Sequence, residues 1–189
     1  YFITYDESSN KKYDVYLKEN EFFQNNYLTE NKQYIASLID YITAKFEYNI
    51  SLDQSDIEYK YSYRIESSVD VVEKSTNYSL YNKVETLLVK DEIITDQKFL
   101  SIKEDINIDY KYYNDLISRF VEVYELDNTI STLNINMYVN VIGACEEFGE
   151  NEENESVISL SIPLTTNTVA IDLSDNLVNT ENNLMQWKE

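Results

Sequence analysis

The chain has 189 residues, and its 15 basic and 35 acidic side chains leave a formal net charge of −20. Such a field repels a phosphate backbone and an anionic lipid surface, which argues against nucleic-acid binding and favours cationic, neutral or metal-bridged partners. Histidine is absent and Cys145 is the sole cysteine, so Ser-His and Cys-His nucleophile pairs, an intrachain disulfide and a thiolate metal cage are all excluded.

Hydrophobic residues at 43% and charged residues at 26% are the proportions of a globular chain. A chain of this length suits one domain, or two small ones, with a core of its own. It carries only two glycines and one proline. Turns must therefore use Asn, Asp and Ser, which bond to their own backbone and tolerate left-handed geometry. Eighteen tyrosines, with abundant Ile, Val and Thr, favour strands. The apolar neighbours Val141, Ile142 and Ala144 predict that Cys145 is a packed, inert thiol. The sequence opens at Tyr1 without a methionine, so a segment trimmed from the front is expected, and a signal or anchor could have been removed from either end. No run of about 18 apolar residues is present to span a membrane.

The first periodic stretch runs from Tyr34 to Ile50. One parity carries Tyr34, Ala36, Leu38, Ile42, Ala44, Phe46, Tyr48 and Ile50, with Asp40 as the exception, and the other is mainly polar. That period of two predicts a strand, although residues 30–40 fit a helix as well. A polar turn at Asp53-Gln54-Ser55-Asp56 follows, and residues 58–73 alternate again, so the two strands are expected to form a hairpin. Residues 84–95 and 99–110 are the third and fourth strand candidates. Between 112 and 126 the spacing changes to three and four, with Tyr113, Leu116, Ile117, Phe120, Val121 and Tyr124 on one face. This predicts an amphipathic helix capped by Asn114 or Asp115. Residues 133–143, 156–164 and 168–173 complete the set. Seven strands and one helix predict a mostly β chain, an antiparallel β-sandwich-like domain with one amphipathic helix near 112–126. A single domain is expected over residues 1–175, with 176–189 as a tail or the remnant of a linker to a removed anchor.

Several residues are candidates for chemistry. The acidic stretch containing Glu146, Glu150, Glu152 and Glu153 could ligate calcium, which takes six to eight oxygens, and Asp172 with Asp175 is a second calcium candidate. No Asp-x-Asp-x-Asp-Gly spacing occurs, and both stretches read more simply as a solvated loop and a turn. Tyr59, Tyr61 and Tyr63 could stack sugars or anchor a protein, but same-parity tyrosines on a strand more often line a core. Paired carboxylates could hydrolyse glycosides without histidine, although 35 acids supply chance pairs in any case.

A further set of features appears in a familiar order: Tyr13, Val15 and Leu17, then Asn20 with Phe22-Phe23, Tyr34-Ile35, Leu38-Ile39-Asp40 and Phe46-Glu47-Tyr48. The tyrosine-rich stretch from Tyr59 to Tyr63 and the Ser161-Ile162-Pro163-Leu164 segment complete it. This arrangement, over roughly residues 13–173, resembles an uncharacterised family of membrane-anchored proteins of Gram-positive bacteria and archaea. The resemblance implies an extracytoplasmic β-rich domain held between two membrane helices, similar in layout to the ectodomain of some small eukaryotic ciliary membrane proteins. It implies location and topology and supplies no activity. The resulting expectation is a non-catalytic, surface-exposed domain that contacts an envelope protein or wall component, with no cofactor and with the membrane reached only through flanking anchors. A carboxylate-based carbohydrate-active enzyme and an adhesin or wall-binding module are the alternatives.

Overall fold

Alternation of apolar and polar residues turns into alternation of burial along nearly every long strand. In the computed structural model, which describes residues 2–146, 155–173, 176 and 178–185, the elements are β1 (Phe2–Leu17), β2 (Tyr27–Leu28), β3 (Gln33–Ile35), β4 (Ile39–Leu52), β5 (Tyr59–Glu73), β6 (Ser79–Thr95), β7 (Phe99–Ile108), α1 (Tyr110–Val123), β8 (Thr129–Gly143), β9 (Glu155–Leu164), β10 (Thr168–Ala170) and β11 (Val178–Met185). One sheet has the order β11-β1-β4-β7, with β2 on the side of β1 that also carries β11. The other has the order β6-β5-β8-β9, and β10 and β3 form a small ribbon. Every pairing is antiparallel. The inner faces meet in one core: Ile42, Phe46, Tyr48 and Ile50 of the first sheet and Ile65, Val69, Leu133, Ile135 and Leu160 of the second are all buried. Each such side chain contributes roughly 1.5–3 kcal/mol through burial. The mostly β, antiparallel sandwich with a single helix is therefore the fold.

The expected hairpin between residues 34–50 and 58–73 does not form. Strand β4 pairs with β1 and β7, whereas β5 pairs with β6 and β8. The polar turn after Leu52 carries the chain from one sheet to the other, which buries the apolar parity of both strands against each other. The ambiguous stretch at 30–40 resolves into β3, a 3-10 turn over Ala36–Leu38, and the start of β4. Among the described non-glycine residues positive φ falls on Asn31, Asp56, Asn77 and Glu125, three of which are Asn or Asp.

Strand β1, sixteen residues long, is absent from the periodicity reading because its inward positions include Glu7, Ser9 and Lys11. Strand β6 begins five residues before the expected start at 84. It is an edge strand with no buried residue, and its register against β5 slips after Tyr61, Ile65 and Val71. Bulges of that kind, with Lys83 and Lys90 on the strand, hinder pairing with another chain. The expected tail is corrected over residues 178–185: they form β11, which pairs with β1, and Leu184 is buried.

Helix α1 starts and ends earlier than its apolar spacing indicates. Asp109, rather than Asn114 or Asp115, caps it by accepting from the Tyr112 N–H at 3.1 Å. At the other end Leu126 N donates to Val121 O and Glu125 N to Glu122 O, a Schellman closure with Glu125 left-handed at φ 52°. The helix buries Tyr110, Tyr113 and Ile117. It is locked to the second sheet by Tyr113 Oη donating to Ser67 Oγ (2.9 Å) and to the strand-end backbone by Tyr110 Oη on Pro163 O (3.2 Å) and Asn114 Nδ2 on Thr165 O (2.9 Å). It closes the end of the sandwich where β1, β5, β7 and β9 finish. Phe2 and Met185 are paired at the opposite end.

Candidate functional site

Two places collect chemistry. The first is the polar side of β1, where extended backbone turns Glu7, Ser9 and Lys11 inward, all nearly fully buried. The Glu7 carboxylate accepts from Tyr48 Oη, from Asn179 Nδ2 at 2.8 Å, and from Ser156 Oγ, which lies 2.9 and 2.7 Å from its two oxygens. Lys11 Nζ donates to Ser159 O at 2.6 Å. Ser156 and Ser159 belong to β9, the edge of the second sheet, so β1 caps an open strand edge with side chains instead of a backbone ladder. Burial, and then the Glu7 charge, drive the Tyr48 phenol far above its ordinary range, and the same two causes raise Tyr5. A second tyrosine–carboxylate pair, Tyr63 Oη to Glu104 Oε1 at 2.6 Å, has its phenol raised by burial and that bond. Phenols shifted upward stay protonated and donate, so these pairs brace the core and do not present an activated nucleophile.

The second place is an open groove of about 570 Å³ between the C-terminal half of α1, the first residues of β8 and the end of β9. Ile117, Val121, Leu126 and Leu164 give it an aliphatic floor, and Glu122, Glu125 and Asp127 stand on its rim. Ile117 and Leu164 are buried, Val121 and Leu126 are partly exposed, and the three acids are exposed. Among the described residues, none of the three acids has an ion-pair partner. The last turn of α1 has no basic residue to offset its terminal carbonyls, so the negative end of the helix dipole adds to the rim. The volume lies within the range of ligand-binding clefts, roughly 300–1,000 Å³.

The tyrosine stripe belongs to the interior. Tyr59 is buried with its hydroxyl donating to Gln97 O at 2.7 Å, and burial pushes its pKa up to about 12. Tyr63 is buried, and Tyr61 lies half-buried with its ring parallel to that of Tyr63, centroids 6.4 Å apart. Tyr59 and Tyr63 could meet a sugar or a partner only if the core opened, whereas Tyr61 keeps part of its ring at the surface. Glu146 is engaged in its own turn, its carboxylate accepting from Gly143 N at 3.3 Å and its carbonyl from Lys60 Nζ at 2.9 Å. Asp172 joins the edge of β9 through its backbone N–H, which donates to Ser161 O at 3.2 Å. Glu150, Glu152, Glu153 and Asp175 lie outside the described residues. Among the described residues no group of three or more Asp, Glu or Cys side chains is placed to hold a metal ion. Cys145, expected to be packed, is exposed: it follows β8 in the turn after Gly143, beyond the last inward position of the strand.

The groove acids Glu122, Glu125 and Asp127 were not singled out from the sequence. A usable signal was present, since Glu122, Glu125 and Asp127 cluster at the C-terminal end of a helix whose last turn has no basic residue, where they oppose its dipole.

Fold and site together define an antiparallel β-sandwich domain with one capping helix and an acid-rimmed groove at the helix end. No protein-family profile, no curated protein and no solved structure matches this chain.

Proposed function

We propose that this chain is the non-catalytic extracytoplasmic domain of a membrane-anchored cell-envelope protein, working by contact with a protein or wall component. The observation that carries this reading is the pairing of Phe2 with Met185 across β1 and β11. A domain tethered to one membrane at both ends needs those ends side by side. The antiparallel β1–β11 pair supplies that arrangement, and the groove then lies at the far end, facing away from the anchors. Among the described residues no helix is long and apolar enough to cross a membrane, so anchoring would fall to flanking segments.

Protease treatment of intact cells expressing the tagged full-length protein tests the reading. Digestion of this domain without lysis is the expected result. Full protection until lysis, with a control surface protein cleaved, overturns it.

A further inference from the structure

We propose that the groove at the C-terminal end of α1 receives a basic, apolar peptide segment of a protein partner. The proposal rests on the contact reading above and names the chemistry of the contact. An aliphatic floor offers burial to branched or unbranched apolar side chains, and removing that surface from water favours association. Beside the floor, Glu122, Glu125 and Asp127 lack ion-pair partners among the described residues, and the helix terminus adds partial negative charge. Charge complementarity therefore selects Lys or Arg side chains whose aliphatic stems can lie over Val121 and Leu126 while their heads reach the rim. No aromatic ring lines the groove, so a saccharide finds no face to stack on there. Acidic peptides and phosphate-bearing ligands are repelled by the rim as they are by the whole chain.

The difficulty in testing this is that a chain of net charge −20 attracts any cationic peptide. The experiment therefore compares two variants of equal net charge. A fluorescein-labelled ten-residue peptide of alternating Lys and Leu is titrated by anisotropy, at physiological salt, against the wild-type chain and two triple variants. Glu122→Lys/Glu125→Lys/Asp127→Lys reverses the rim. Glu58→Lys/Asp91→Lys/Asp96→Lys makes the same charge change at exposed positions toward the opposite end of the sandwich. Circular dichroism verifies that both variants are folded.

The expected result is at least a tenfold loss of affinity for the rim variant and less than a twofold change for the control. A Lys/Ser peptide should bind the wild-type chain at least tenfold more weakly than the Lys/Leu peptide. Equal losses in the two variants, equal binding of the Lys/Ser peptide, or no binding of the Lys/Leu peptide overturns the proposal. Any of those results leaves the membrane-tethered reading to the protease experiment, which does not depend on the groove.

Discussion

The hydroxyl of Tyr48 donates to the carboxylate of Glu7, joining neighbouring strands at a point where both side chains are shut away from solvent. The carboxylate also serves Ser156 and Asn179, from the β9 edge and from β11. Removing it leaves three donors without their acceptor. Glu7→Ala should cost about 3–5 kcal/mol in urea unfolding, and Tyr48→Phe, which removes one donor and leaves the others engaged, about 1–2 kcal/mol. A Glu7→Ala variant as stable as the parent would mean that the network contributes little.

Alkaline pH should weaken the fold. Burial pushes Tyr59 and Tyr110 up to about 12, and it raises Tyr5, Tyr48 and Tyr63 further. A phenol with a folded-state pKa above its unfolded value near 10 holds its proton more tightly when folded. Its contribution is whole below pH 10 and is lost as pH rises from 10 toward 12. Absorbance at 295 nm should show these five phenols ionising in a phase above pH 10 that coincides with loss of structure. A single ionisation step for all 18 tyrosines near pH 10, with the fold intact, would contradict the burial described.

Glu125 occupies the left-handed position of a Schellman closure, where glycine is normally found. Glu125→Gly removes a steric cost of roughly 1–2 kcal/mol and adds a smaller entropic one, so a net gain of up to about 1 kcal/mol is expected. For a chain of this size that is a rise of about 2–4 °C in midpoint. A fall in calorimetric Tm would show that the side chain contributes contacts which outweigh the strain.

Strand β11 adds a fifth member to the first sheet and buries Leu184. Leu184→Ala should cost about 2–5 kcal/mol by loss of apolar burial and by cavity formation. Were residues 178–185 a solvated tail, the unfolding midpoint in urea would not move.

Cys145 is exposed. One equivalent of a disulfide reagent such as DTNB should react with the native chain within minutes and without denaturant. Reaction only after unfolding would restore the packed thiol expected from the neighbouring Val141, Ile142 and Ala144.

What the sequence determined by itself is whatever local burial alone can specify. Strands β4, β5, β8 and β9 were legible because their inward parity is apolar, and alternation then fixes which face is hidden, whichever sheet the strand joins. The helix was legible from its three-and-four spacing, and the shortage of glycine pointed to Asn and Asp as turn residues, the types that hold the left-handed positions 31, 56 and 77. Tertiary structure decided the rest. Glu7, Ser9 and Lys11 make β1 look like a loop, and their cost is offset only by partners far away in the chain: Glu7 by Tyr48, Ser156 and Asn179, and Lys11 by Ser159. The turn at 53–56 has the same chemistry whether β5 folds back on β4 or crosses to the other sheet, so only the packing of two apolar faces selects the crossing. The groove is the same kind of case. Its floor and rim come from α1, the start of β8 and the end of β9, segments that share no local pattern and meet because the helix closes one end of the sandwich.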